Sequence, residues 1–266
     1  MWSARISGSL FAGSIACIKD IVNDVNFEVN GKDGLTMQAM DPSHIALCTL
    51  KLPMEVFKDW NQETDDRMVI GVNTSTMAIA LSCLDLSQYV TILFDGDKLI
   101  LSSVGVNRST SISLNTLTID VERLEIPYSS PDIFFSIEAS DFASLCADAL
   151  KFGSEGEFTF SHVYTNHCRS VDLTIKTIGD LGEASRHYGR STGDAAWHIQ
   201  EDPALMALPD SATYAWKYLQ YFSKAKVASK SVQLQFVKDQ PLKLVFALIG
   251  GGEICFYLAP KFKDRI

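Results

Sequence analysis

The 266-residue sequence contains no apolar run that approaches the ~18 residues needed to cross a lipid bilayer. Its first residues have neither the basic start nor the apolar core of a secretory signal peptide. These two absences lead us to expect a protein that neither spans a membrane nor is secreted.

Cysteines are few and scattered. There are six, with no CxxC pair and no spacing typical of a metal site. Reduced, buried thiols of an intracellular protein are favoured over disulfides. The six are Cys17, Cys48, Cys83, Cys146, Cys168 and Cys255.

Motifs of enzymatic chemistry are also missing. The five histidines stand in no GxSxG or HExxH frame. Gly250-Gly251-Gly252 is not followed by the Lys-Ser/Thr of a phosphate loop, and it favours a hairpin turn. The carboxylates of Asp95 and Asp97, like those of Asp65 and Asp66, suit turns better than a metal pair. We therefore expect no enzyme, no cofactor and no metal ion.

Basic residues are in the minority. Lysine and arginine number 23 against 32 aspartates and glutamates, which gives a net charge of −9. An ordinary nucleic-acid-binding protein has a basic surplus, because its lysines and arginines displace phosphate counterions. Composition alone therefore argues against DNA as a partner.

The chain does contain enough apolar residues, 47%, for real cores, and it is long enough for two domains. Four segments carry an apolar stripe at helical spacing: about Leu10–Val25, Thr74–Leu84, Ser140–Leu150 and Thr213–Ala225. Ser140 is a candidate N-cap. Strand-like runs lie between the helices: Tyr89–Phe94, Leu99–Ser103, Phe134–Ile137, Leu173–Thr177, Val232–Val237 and Leu242–Leu248.

The order of elements repeats. A strand, a helix and several strands, then a helix and several strands, occur on both sides of residues 118–132. That segment mixes charged residues with prolines and serines, a composition typical of an exposed tether. Residues 179–203 favour a long loop or a ragged edge hairpin. The pattern predicts an α+β protein of two similar domains.

Two segments carry a family resemblance: Gly-Leu-Thr-Met-Gln-Ala-Met-Asp-Pro-Ser-His-Ile-Ala-Leu at 34–47 and Tyr-Leu-Ala-Pro-Lys at 257–261. They resemble, in register, a strand–turn–strand segment and the C-terminal tail of the proliferating cell nuclear antigen (PCNA) family, the eukaryotic DNA sliding clamps. The resemblance covers nearly the whole chain except about 152–205. Further matches lie at Met1–Val22, Gly71–Asn73 with Met77, Leu124–Pro127, Phe142–Asp148 and Ala215–Ala225.

The resemblance implies a ring-forming clamp fold, with helices on the inner side of curved antiparallel sheets. The domains would be 1–117 and 133–266, joined by an interdomain connector at 118–132. The function implied is a homotrimeric processivity factor in the nucleus, or in a viral replication compartment, that encircles duplex DNA. It would dock DNA polymerase, the clamp loader and other proteins through PIP-box peptides. Edge strands at about Arg108–Thr116 and Gly182–Tyr188 of neighbouring subunits would close the ring.

Basic residues at the family's bore positions are the implied DNA contacts. They are Lys19, Lys217 and Lys224, with Arg5, Arg108, Lys151 and Lys226 as helpers. Such residues touch phosphates without reading bases, which suits a protein that slides. A ring can be acidic outside and positive around its bore, so the net charge is no obstacle. The chain departs from the family at positions that are commonly basic: Ala12, Gly13, Ile79, Ser82, Ser144 and Ala147.

The resemblance also implies an apolar pocket for partner peptides beneath the connector. Glu125 stands where the family has glycine. The matching residues are Met40, His44, Ile45, Leu47, Leu124, Ile126, Pro127, Pro241, Tyr257, Leu258, Ala259 and Pro260.

Two other functions stay open. One is a subunit of a heterotrimeric checkpoint-type clamp with the same fold. The other is a viral-type processivity factor that holds DNA by charge without closing a ring. The sparse basic residues argue against the second, because a protein that does not encircle DNA needs a strongly positive face.

Overall fold

The computed structural model describes residues 1–63, 66–120, 124–126, 133–165, 168–189, 196–199, 211–237 and 240–261. The chain divides into two compact units. Unit 1 comprises Met1–Glu125, Val227–Ser229 and Ala247–Cys255, and unit 2 comprises Ile126–Lys226, Lys230–Phe246 and Phe256–Ile266.

Unit 1 opens with a strand and a helix, followed by further strands and a second helix. Its elements are β1 (Trp2–Ser7), α1 (Gly8–Ile18), β2 (Asp24–Asn30), β3 (Gly34–Met40), β4 (Ala46–Leu52), β5 (Phe57–Gln62), β6 (Met68–Asn73), α2 (Thr74–Ser82), β7 (Tyr89–Phe94), β8 (Lys98–Val104) and β9 (Ser109–Asn115).

These strands form an antiparallel sheet in the order β5-β1-β7-β8-β9 and a second set in the order β4-β3-β2-β6. Buried and partly exposed residues alternate along β2, β3 and β4, as expected when one face of a sheet covers a core. The helices α1 and α2 pack against each other. Phe11 and Ile15 of α1 are fully buried, together with Trp2 and Phe27 of the strands.

Unit 2 begins, like unit 1, with a strand that is followed by a helix. Its elements are β10 (Ile133–Glu138), α3 (Ala139–Phe152), β11 (Glu155–Thr165), β12 (Cys168–Gly179), β13 (Gly182–Tyr188), β14 (Ala196–Ile199), β15 (Ser211–Ala215), α4 (Trp216–Phe222), β16 (Ser231–Phe236), β17 (Leu242–Ala247) and β18 (Glu253–Leu258), the last of which crosses the division between the units.

Two antiparallel strand sets build unit 2, in the orders β13-β12-β11-β15 and β14-β10-β16-β17. Aromatic rings fill its core. Phe222 of α4 stacks on Phe256 at 4.5 Å between ring centroids, and Phe246 meets Phe256 edge-on at 5.8 Å. The repeated strand–helix–strand order confirms the predicted α+β fold of two similar domains.

Helix boundaries differ from the prediction where a strand competes for the same residues. The first helix was predicted over Leu10–Val25 but spans Gly8–Ile18, and the last two predicted residues, Asp24 and Val25, belong to β2. The fourth was predicted from Thr213 but begins at Trp216, because Ser211–Ala215 pairs with β11. Its last turn, Ser223–Val227, is a 3-10 helix.

One local prediction was wrong and two others agree with the structure. Ser140 is not an N-cap, because α3 already begins at Ala139 and its cap residue, Glu138, makes no side-chain cap bond. At the start of the stretch 179–203 the predicted alternative of an edge hairpin is confirmed, since β12 and β13 pair through Gly179 and Gly182 and β13 is the last strand of its set. The predicted turn at Gly250–Gly252 is confirmed, with φ angles of 100°, 112° and 90°.

The predicted connector 118–132 lies largely outside the described residues. Unit 1 extends to Glu125, and only 118–120 and 124–126 of the connector are described. The domain boundaries at 117 and 133 therefore stay a prediction.

Candidate functional site

The turn between β3 and β4 is closed by one carboxylate. Asp41, 5% exposed, accepts hydrogen bonds at Oδ1 from the backbone N–H groups of Ile45 (2.7 Å) and Ala46 (2.6 Å). Its Oδ2 accepts from Ser43 N–H at 3.0 Å. A side chain that satisfies three backbone donors can hold a turn without regular secondary structure. His44 takes a left-handed conformation there, with φ at 56°.

An apolar surface adjoins this turn in unit 1. Met40 and Leu47 face each other across β3 and β4, and both are half-buried. Ile45 in the turn is 41% exposed. His44 is exposed beside it. The four residues that the sequence assigned to the first part of the peptide pocket therefore lie together.

The connector meets the same face at Leu124. The Gln38 side-chain amide donates to Leu124 O at 3.0 Å, and Leu124 N–H donates back to Gln38 Oε1 at 2.8 Å. Gln38 and Met40 point to the same side of β3, because side chains alternate along a strand. The Leu124 side chain is 42% exposed, and that of Ile126 is 36% exposed. Pro127 lies outside the described residues.

The other predicted pocket residues belong to unit 2. Pro241 is exposed, whereas Tyr257, Ala259 and Pro260 are half-buried. Leu258 is fully buried, so its side chain belongs to the core. The tail is anchored beyond Pro260, where Lys261 N–H donates to Thr213 O at 2.8 Å and the Lys261 ammonium pairs with Glu155.

The predicted DNA contacts differ in exposure. Lys217 in α4, and Lys224 and Lys226 in the 3-10 helix after it, are exposed. The Lys224 ammonium lies 5.3 Å from the ring centroid of Tyr221. Lys19 at the end of α1 is half-buried, and Arg108 is exposed in the loop before β9. Three exposed lysines of unit 2, Lys217, Lys224 and Lys226, thus lie in α4 and its 3-10 extension.

Helix α3 adds little positive charge. Its Lys151 pairs with Asp148 at 2.9 Å, and this hydrogen bond and charge hold the pKa of Asp148 below its ordinary value. Arg186 of β13 bonds Asp141 at 3.0 Å and also lies 3.6 Å from Asp148. These ion pairs neutralise the positive charges of Lys151 and Arg186 and fix the edge strand β13 to α3.

Buried thiols supply no nucleophile in the part of the chain that is described. Burial raises the pKa of Cys17 to about 12 and that of Cys48 well above its ordinary value, so both stay protonated at neutral pH. Among the described residues, no group of three or more His, Cys, Asp or Glu side chains is arranged to hold a metal ion. The same residues include no helix long and apolar enough to cross a membrane.

Sequence reasoning missed the residues that shape the site. Asp41 was read as part of a turn motif, and its Asp-Pro-Ser sequence is the signal that could have revealed a side chain bonding the backbone ahead. Gln38 left no such signal, because its partner Leu124 lies 86 residues away.

The chain matches known proteins over nearly its whole length. The family model described as "Proliferating cell nuclear antigen, N-terminal domain" matches residues 1–124, and the C-terminal domain model matches 125–261. The chain is 28% identical to "Proliferating cell nuclear antigen 2" of Drosophila melanogaster over 270 aligned positions, which cover 99% of each chain.

A solved structure is similar as well. The crystal structure of proliferating cellular nuclear antigen from Entamoeba histolytica aligns with a TM-score of 0.82 and covers 98% of this chain and 99% of that one. The sequence identity is 21%, so this likeness speaks for the fold.

Two successive α+β units of this topology form the two-domain clamp fold. Both domain models of one family match in order along the chain. The chain belongs to the proliferating cell nuclear antigen family, whose members are processivity factors of DNA replication.

Proposed function

We propose that the protein is a homotrimeric ring that encircles duplex DNA, holds a polymerase on it and works in the nucleus. The observation that carries the proposal is the match of both family domains over residues 1–261. Two edge strands support it. Among the described strands, β9 is the last in its sheet and β13 is the last in another. Such edges can pair between copies of one chain.

The edge β9 suits this role. Serines at 109, 111 and 113 are exposed, while Thr110, Ile112 and Leu114 are half-buried. A regular strand with no charged side chain between Ser109 and Asn115 has none of the charges that usually protect a free edge from pairing.

In this proposal the lysines in α4 and in the 3-10 helix after it contact the DNA. Lys217, Lys224 and Lys226 are exposed and can neutralise phosphates. Lys19 and Arg108 contribute more weakly in this proposal. Lys151 of α3 is paired with Asp148, so α3 adds no free lysine to contact phosphates and the affinity for DNA is weak. A closed ring tolerates a weak grip, because closure rather than affinity prevents escape.

Partner peptides dock on the apolar surface of Met40, Ile45 and Leu47 and on the connector residues Leu124 and Ile126. Exposed apolar side chains next to fixed backbone are typical of such docking. His44, Pro127, Pro241 and Tyr257–Pro260 are the further contacts that the family resemblance implies. The partners are DNA polymerase, the clamp loader and other proteins with PIP-type peptides.

Encirclement can be tested on linear DNA. A sliding ring stays on a duplex whose two ends are blocked and leaves it when one end is freed. We expect this protein, placed on the DNA by a clamp loader, to be retained only while both ends are blocked. Equal loss from blocked and open DNA would overturn the ring, and equal salt-sensitive retention on both would indicate simple charge binding.

A further inference from the structure

Three outward-facing positions form one row across neighbouring strands of unit 1. Gly71 of β6 pairs with Asn26 of β2. On the next strand, Met37 pairs with Phe27, so Gln38 of β3 stands beside Asn26 on the same face. The row therefore runs Gly71, Asn26, Gln38, across the strands rather than along them.

Each position of this row is hydrogen-bonded to a residue in the connector or, at Leu117, directly before it. Leu117 N–H donates to Gly71 O at 2.8 Å. The Asn26 amide donates to Ile119 O at 2.9 Å. The third contact is the pair of hydrogen bonds between the Gln38 side chain and the Leu124 backbone. The connector thus crosses β6, β2 and β3 in the order of its own sequence.

The position of Leu124 depends on Gln38, because the length of chain between Ile119 and Leu124 does not fix it. From Ile119 to Leu124 the chain has five residues, which can extend to ~17 Å. Neighbouring strands lie only ~4.8 Å apart. The position of Leu124 is therefore not imposed by the anchor at Ile119. It is fixed by the Gln38 amide, which satisfies both the N–H and the C=O of Leu124 in the way a neighbouring strand would.

We propose that Gln38 is a positioning residue for partner-peptide binding: its amide presets the backbone of Leu124 so that the exposed Leu124 and Ile126 side chains are ready for the peptide. This inference rests on the peptide docking proposed above. A segment held in its binding conformation before the partner arrives spends less free energy on ordering, which raises affinity.

The test compares Gln38→Leu, which keeps the size but removes both bonds, with Gln38→Ser, which is polar but too short to reach Leu124. The matched control is Thr36→Val, which alters a half-buried residue on the same face of the same strand. Calorimetry with a synthetic PIP-box peptide gives the Kd, thermal unfolding gives the Tm, and hydrogen exchange reports the Leu124 amide.

We expect both Gln38 variants to bind the peptide about tenfold more weakly, as loss of two ordinary hydrogen bonds would allow. The Leu124 amide should exchange faster in both, while the Tm stays near that of the parent. Thr36→Val should leave all three measurements unchanged.

The outcomes separate the two proposals. A parent chain that binds no PIP-box peptide overturns the proposed docking and this inference with it. Peptide binding by the parent that is matched by both Gln38 variants overturns this inference alone. Weaker binding together with a lower Tm and an unchanged exchange rate of the Leu124 amide would mean that Gln38 contributes only to general stability. That outcome likewise overturns this inference.

Discussion

Asp41 and Ala46 are bonded to each other twice, once through the backbone and once through the side chain. Asp41 N–H donates to Ala46 O at 2.8 Å, and Ala46 N–H donates to the Asp41 carboxylate at 2.6 Å. The pair closes the turn that carries His44 and Ile45, so one buried carboxylate fixes the edge of the proposed peptide site.

Asp41→Ala should destabilise unit 1. The substitution leaves three backbone N–H groups without their acceptor, one of them buried, and we expect a loss of about 2–4 kcal/mol in the free energy of unfolding. Urea unfolding measures this. Asp33→Ala is the control, because that carboxylate accepts a single 3.3 Å bond from Asn30, and its loss should cost less than about 0.5 kcal/mol. Equal effects of the two substitutions would refute the role of Asp41.

Gly71→Ala should displace the connector. A Cβ at Gly71 would lie 2.1 Å from the carbonyl oxygen of Leu117, so either the strand or the connector must move. We expect a loss of about 1–3 kcal/mol together with faster exchange of the Leu117 amide. Gly31→Ala, where a Cβ would meet nothing within 4 Å, serves as the control and should be near neutral. Unchanged exchange at Leu117 in the Gly71 variant would contradict this contact.

Replacing Lys217 and Lys224 together by alanine should weaken stimulation of a polymerase and flatten its dependence on salt, because fewer phosphates are neutralised. Binding of a PIP-box peptide should not change. Lys32 and Lys98, exposed lysines at or beside hairpin turns of unit 1, provide a double-alanine control of equal charge. If the control pair reduced stimulation as much as the Lys217 and Lys224 pair, net charge rather than this cluster would explain the effect.

Ile126→Asp should abolish peptide binding. The side chain is 36% exposed in the free chain, and docking would bury the new carboxylate without a partner, at a cost of several kcal/mol (roughly 2–5). Calorimetry should detect no binding, while light scattering should give the same particle mass as for the parent. Met54→Asp, at a residue 40% exposed in unit 1, is the control. A Kd for the Ile126 variant equal to that of the parent would place the peptide on another surface.

The sequence predicted those parts of the fold whose signal is local. The stripe of Phe11, Ile15 and Ile18 predicted α1, and the alternation in 89–94 predicted β7 with the right bounds. Helix boundaries were less predictable where two structures compete for one segment. Residues 213–215 fit the helical stripe of α4, yet their backbone groups pair with β11, and only the tertiary partner decides that outcome.

The candidate site was predictable in its residue types but not in its geometry. Met40, Ile45 and Leu47 could be named from the family motif. Leu258 was assigned to the pocket only because it belongs to the family's tail motif, whereas the structure buries its side chain in the core. The bond of Gln38 to Leu124 spans 86 residues and leaves no periodic trace in the sequence.

The mass of the particle in solution tests the ring most directly. Size-exclusion chromatography with light scattering, over a range of protein concentrations, should give a species made of three chains of 29.4 kDa each. A trimer would fit the pairing of β9 and β13 between copies of this chain. A monomer of 29.4 kDa at every concentration would contradict the homotrimeric clamp and favour a chain that closes its ring with different subunits or not at all.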